Sequence, residues 1–163
     1  EDLLAITTKF APQNGSSFKA ALQALQPGAE LDMASPMGDF VLPKDQSIPL
    51  TFVAGGIGCT PFRSMLHFCR DNGEQRDITV IYGARSESEL AFRDEFQTLG
   101  AKFVPLTGQP LDATTVMKHA HPTGQVYLSG PEPMIESLQN DLKVAGVDRK
   151  RIQTDFFPGY TEA

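Results

Sequence analysis

The sequence predicts an α/β fold: a doubly wound parallel five-stranded sheet with helices on both faces, preceded by a partial antiparallel β-barrel segment. Two textures in the chain predict it. From Ile48 onward, short apolar runs alternate with amphipathic stretches of helical length, the pattern of a parallel sheet covered on both sides. Up to about Lys44, short strand-like runs are punctuated by Pro27-Gly28 and Pro36-Met37-Gly38, which mark turns.

In the first segment, strands are expected at Leu3 to Phe10, Ala29 to Ala34 and Phe40 to Leu42. A helix is expected over Ser16 to Leu25, where Phe18, Ala21, Leu22 and Leu25 recur at helical spacing. Pro43-Lys44-Asp45-Gln46 reads as a linker, dividing the chain into residues 1–46 and 47–163. Three strands do not close a barrel, and unpartnered they expose their edges. The expectation is a domain whose beginning lies outside this chain; the other reading is that these strands extend the second sheet.

In the second segment, strands are expected at Leu50–Ala54, Ile78–Gly83, Lys102–Leu106, Val126–Ser129 and Ile152–Phe156. Helices are expected at Pro61–Arg70, Glu89–Leu99, Asp112–Lys118 and Glu132–Ala145.

Composition narrows the function. A net charge of −6 argues against nucleic acid as the main partner. No apolar run approaches the ~18–20 residues that cross a bilayer, so no membrane segment is expected. Cys59 and Cys69 are the only cysteines, too few to ligate an iron–sulfur cluster or staple a disulfide scaffold. No metal site is expected, and a reducing, cytoplasmic setting is the default reading.

The densest stretch is "TFVAGGIGCTPFRSML", Thr51 to Leu66. An apolar strand breaks into Gly55, Gly56 and Gly58, then Thr60 and Pro61. Glycines accept φ > 0 and admit a pyrophosphate where a β-carbon would block it. Thr60 suits a helix N-cap and Pro61 the first helical position, so the order reads as strand, anion-binding turn, capped helix. A tight turn without a ligand is the competing reading. The spacing departs from the standard dinucleotide fingerprint, since Pro61 stands where a third glycine or alanine belongs.

Two further strand ends share the same edge of the expected sheet. "YLSGPEPMIESL" places Ser129, Gly130 and Pro131 before a helix, and "YGARSESELAFRDEF" places Gly83 and Arg85 after another strand. Two such turns opening on one edge favour a cleft for an extended ligand. Arg85 is placed to meet a phosphate there, or is a solvated charge.

Taken together, G-G-x-G-x-T-P after one strand, Y-G-A-R at the end of the next, S-G-P-x-x-M, and a last strand ending T-D-F-F resemble the ferredoxin–NADP reductase superfamily. The resemblance runs in order from about Thr51 to Phe157. The preceding "GSSFKAALQALQPGAELDMASPMGDFVLP" resembles the second half of that family's flavin-binding barrel.

The resemblance implies NAD(P)H as hydride donor, FAD in the complete protein, and single-electron transfer to an acceptor such as a ferredoxin, haem or iron–sulfur domain. It implies that Gly55, Gly56, Gly58 and Thr60 hold the cofactor pyrophosphate, with Pro61 starting the helix beneath. Gly83 and Arg85 would serve the adenosine side. Ser129, Gly130 and Pro131 would face the nicotinamide, with Met134 behind them. Ser129 stands where the family usually has cysteine, and Asp155 where many members have glutamate near the flavin. Gly15 to Ser17 would lie near the flavin pyrophosphate. Phe157, rather than Phe156 or Tyr160, is the expected aromatic beside the flavin ring. The implied catalytic pair is Ser129 and Asp155, acting by placement of donor against acceptor.

The family's Arg-x-Tyr-Ser/Thr flavin motif does not occur in this chain, which is therefore expected to be catalytically incomplete alone. Leu106-Thr107-Gly108-Gln109-Pro110 carries no cation where relatives that hold a 2′-phosphate often place a Ser-Arg pair, which favours NADH. A dehydrogenase acting directly on a small substrate would need an acid–base residue, and His67, His119 and His121 lie away from the strand ends. A non-catalytic nucleotide-sensing or partner-docking module of the same fold is the alternative.

Overall fold

The structure, a computed structural model, describes residues 4–10, 16–35 and 37–157, Phe157 through its backbone alone. The chain divides into two compact units, the second running from Phe40 to Gly159.

In the first unit, helix α1 (Ser17–Ala24) begins where the Ser16 hydroxyl accepts the Lys19 amide, a serine N-cap. The strands expected over 3–10 and 29–34 do not form among the described residues. A strand exists only through ladder hydrogen bonds to a neighbour, and among the described residues none pairs with these segments.

The second unit holds five parallel strands: β1 (Leu50–Gly55), β2 (Ile78–Ala84), β3 (Lys102–Thr107), β4 (Gln125–Pro131) and β5 (Ile152–Phe157). Their order is β3-β2-β1-β4-β5. β1 is buried throughout because it is central and covered on both faces. Pro105 sits in β3, at the sheet's edge, where a missing ladder donor is tolerated.

Helices α2 (Thr60–Asp71) and α3 (Arg93–Thr98) cover one face; α4 (Ala113–His119) and α5 (Glu132–Val144) cover the other. α2 turns Phe62, Met65, Leu66 and Cys69 inward, a stripe at 3.6-residue spacing. Phe62 stacks on Phe52 of β1 at 4.6 Å between ring centres. α5 buries Ile135, Leu138 and Leu142 by the same rule.

Three expectations change in detail. The strand expected at Phe40–Leu42 is instead a non-ladder segment packed on the α2 face. Phe40 lies edge-on to Tyr127 at 5.3 Å, and the Tyr127 hydroxyl donates to the Val41 carbonyl at 2.8 Å. The linker that follows is held by the Arg76 guanidinium, which donates to the Pro43 and Asp45 carbonyls.

The helix expected from Glu89 begins only at Arg93. The Ala91 amide donates to the Tyr82 hydroxyl, which itself donates to the Glu89 carbonyl, so backbone groups a helix would use are taken by a buried side chain. Phe92 then turns through φ +60°, with the Arg63 guanidinium 4.8 Å from its ring centre.

Finally, Thr60 is not an N-cap. A 3₁₀ turn, Gly56–Cys59, runs directly into α2 and makes Thr60 its first residue. The helical segment thus starts at Gly56, because the glycines permit the tighter turn to begin there.

Candidate functional site

The chain winds outward from β1 to β2 and β3, then returns to lay β4 on β1's other side. At such a switch point, the connections after β1 and β4 leave in opposite directions and open a crevice beyond the carboxyl ends. The crevice lies between Gly55–Gly58 after β1 and Ser129–Pro131 at the end of β4.

The three glycines of the turn have different neighbours. A β-carbon on Gly58 would stand 2.2 Å from the Ser129 carbonyl oxygen and 2.7 Å from the Gly130 Cα. One on Gly55 would stand 2.4 Å from the Met134 Sδ. Their missing side chains are filled by the protein itself, which corrects the expectation that all three leave room for a ligand. Gly56 alone has φ +54° and nothing within 4 Å of where its β-carbon would be. It faces open ground at the start of the helical segment. Neither Gly55 nor Cys59 caps that start with a side chain, so its first amides keep unspent donors and the positive end of the helix dipole.

On the other wall, Ser129 is fully buried and its Oγ has no hydrogen-bond partner. A buried hydroxyl without a partner is a cost of about 1–3 kcal/mol, which most native side chains avoid. Ser129 pairs in register with Ala54 on one side and Asp155 on the other. Residues in one row of a parallel sheet leave it on the same face, so Ser129 and Asp155 both project to the α2 side. Burial raises the Asp155 carboxyl above its usual range. The Met134 methyl group lies close enough to Gly130 that a β-carbon there would be 2.8 Å away.

Gly83, one residue before the end of β2, lies against the Leu111 side chain, 3.0 Å from where a β-carbon would stand, and the exposed Arg85 comes just past the strand. Pro61 is the second residue of α2. Ser17 begins α1 in the other unit. Gly15 and Tyr160 lie outside the described residues, as does the Phe157 side chain.

None of the histidines joins the crevice. His67 pairs with Glu95, which also takes a two-point ion pair from Arg63 at 2.7 and 2.9 Å. His119 closes α4, and His121 accepts from the Thr123 amide. Among the described residues, no group of three or more metal-ligating side chains converges. Sequence reasoning missed Glu87, whose carboxylate pairs with Arg93 and accepts from the Thr107 hydroxyl at 3.4 Å. Its position two residues after Arg85 was the available signal.

Residues 52–107, spanning β1 through β3 with the glycine turn, match the Oxidoreductase NAD-binding domain family. That stretch holds the glycine turn and the ends of β1, β2 and β3 that border the crevice. The chain is similar to the reductase component of propane 2-monooxygenase from Rhodococcus jostii, 27% identical over 88% of the chain and 45% of that protein. It is similar to one component of the Na⁺-translocating NADH-quinone reductase from Neisseria meningitidis, 30% identical over 83% of the chain and 39% of that protein. Its fold is that of part of the Malassezia yamatoensis flavohemoglobin with bound FAD and heme: TM-score 0.78 at 24% identity, over 92% of this chain and 42% of the other. The chain thus spans less than half the length of these relatives. No helix among the described residues is long and apolar enough to cross a membrane.

Proposed function

We propose that the crevice binds a reduced nicotinamide dinucleotide, NADH in preference to NADPH, as the hydride-donating half of an FAD-dependent reductase. The observation that carries this reading is the unpartnered, fully buried Ser129 hydroxyl, on a residue whose backbone carbonyl lies against Gly58 of the turn, where Gly56 is open and the helix start is uncapped. An anionic pyrophosphate at Gly56 would use the free amides, with Thr60 and Pro61 fixing the helix behind them. Gly55 and Gly58 act indirectly, by letting Met134 and β4 close against the turn. Ser129 would then offer its hydroxyl to a polar group of the nicotinamide end, with Gly130 and Pro131 shaping the wall.

FAD, held with residues of the longer protein, would supply the hydride acceptor and the one-electron donor. Toward it, this chain contributes Asp155, which hydrogen-bonds at the junction of the two cofactors, and Phe157, which shields the flavin ring. Ser17 belongs to the flavin-binding half, residues 1–46, while 47–163 form the nucleotide-binding half. The electron acceptor is a ferredoxin, haem or iron–sulfur domain. The names of the relatives, a reductase component of a monooxygenase and a component of an NADH-quinone reductase, support that assignment. A reducing, cytoplasmic setting suits two cysteines that are both free and buried.

The test is calorimetric titration of the chain with NADH and NADPH, beside Gly56→Asn. Asparagine tolerates the left-handed conformation and would place its side chain in the open ground. Saturable binding to the parent, weakened about tenfold or more in the variant with little change in melting temperature, is expected. Binding that the variant leaves untouched removes Gly56 from the site. No binding at millimolar nucleotide would favour a docking module over a nucleotide-binding half.

A further inference from the structure

We propose that Glu87 sets which nicotinamide dinucleotide the domain accepts, by offering a carboxylate to the adenosine ribose and holding Arg93 away from a 2′-phosphate. The inference rests on the reading of the crevice as a dinucleotide site. A nucleotide with its pyrophosphate at Gly56 and its nicotinamide between β1 and β4 extends its adenosine half the other way, over the ends of β2 and β3.

One side chain bridges those two ends. Glu87 opens the 3₁₀ turn Glu87–Glu89, three residues past the last residue of β2. One carboxylate oxygen accepts from the Arg93 guanidinium at the start of α3. The other accepts from the hydroxyl of Thr107, the last residue of β3, at 3.4 Å. Beyond Thr107, Gly108 turns the chain through φ +65° and leaves open ground. The Glu87 and Arg93 side chains are 58% and 44% exposed, so the pair is accessible to a ligand and is not locked by packing.

The chemistry discriminates at a single atom. A ribose 2′-hydroxyl donates to a carboxylate. A 2′-phosphate brings nearly two negative charges to the same place, is repelled by Glu87, and finds the nearby guanidinium of Arg93 already engaged. Removing the carboxylate both lifts the repulsion and releases a cation whose fork geometry suits phosphate. Arg85, the first residue past β2, remains for either nucleotide.

The experiment titrates the 163-residue chain with NADH and with NADPH by calorimetry, comparing the parent, Glu87→Gln, and the double variant Glu87→Gln with Arg93→Gln. The parent is expected to favour NADH. Glu87→Gln should tighten NADPH by about tenfold while changing NADH by no more than about threefold, and the double variant should lose that gain. Melting temperatures should stay together, because the pair is exposed. If the parent binds NADH and Glu87→Gln leaves the ratio of the two affinities unchanged, the role of Glu87 is overturned while the dinucleotide reading stands. A gain that survives Arg93→Gln overturns the part given to Arg93. A parent that binds neither nucleotide overturns both the reading and the inference.

Discussion

Gly58 and Ser129 touch through their backbones: a β-carbon on Gly58 would overlap the Ser129 carbonyl, 2.2 Å from its oxygen. Residues 71 positions apart are thereby pressed together at the mouth of the crevice, and the turn and the β4 wall form one rigid piece. Backbone cannot rotate away as a side chain can. Gly58→Ala is therefore expected to cost about 3 kcal/mol or more in urea-unfolding free energy. An unchanged midpoint would show that the turn and β4 move apart easily. Gly58→Val, which looks from the sequence like a pure block on pyrophosphate, would report on folding instead.

Ser129→Ala should do the opposite to stability. Its hydroxyl is buried without a partner, so deleting it removes a desolvation cost and leaves a very small void. Stability should hold or rise by up to about 1 kcal/mol, while affinity for NADH falls. Chemical denaturation and nucleotide titration on the same preparation check the pair of effects. Loss of stability with unchanged affinity would make Ser129 a packing residue.

Acid stability should follow Glu95. The Arg63 guanidinium foremost, and His67 after it, hold its carboxyl below the ordinary 4.5. A depressed carboxyl stabilises the fold fully above its unfolded value and loses that contribution as pH falls through its lower folded value. Glu95→Gln should cost about 1–2 kcal/mol at neutral pH, the partly exposed site lying at the low end for charge-assisted pairs. The difference from the parent should shrink as pH falls below the ordinary 4.5 and vanish only once the lowered folded value has been passed. A pH-independent difference would place the effect in packing.

Asp155 has the reverse sign. Burial raises its carboxyl above the ordinary 3.8, so ionising it costs the folded state more than the unfolded one. The cost is absent at low pH and complete once pH exceeds the raised folded value. Asp155→Asn should therefore raise the melting temperature at pH 7 and leave it unchanged near pH 3. Equal melting temperatures at pH 7 would mean that the carboxylate is solvated in the folded protein.

Tyr127→Phe removes the hydroxyl that binds the Val41 carbonyl at 2.8 Å and keeps the ring that packs on Phe40 and Phe52. A loss of about 1 kcal/mol is expected, with faster amide exchange confined to residues 40–46. Exchange spread over the whole sheet would show that this segment unfolds with the core and not before it.

The sequence alone determined the alternation of five strands and their helices, and the placing of glycine turns at one edge. Apolar period, glycine and proline are local signals, and the strands and helices of the second unit fall within a few residues of where those signals put them. Tertiary structure decided what depends on partners far along the chain. Residues 29–34 carry strand-like apolar spacing but find no ladder. Tyr82 captures the Ala91 amide and delays α3 to Arg93. Gly55, Gly56 and Gly58 look alike in the sequence. β4 and Met134 fill the places beside two of them and leave Gly56 open, because a glycine's role depends on which atoms occupy the space its side chain would take.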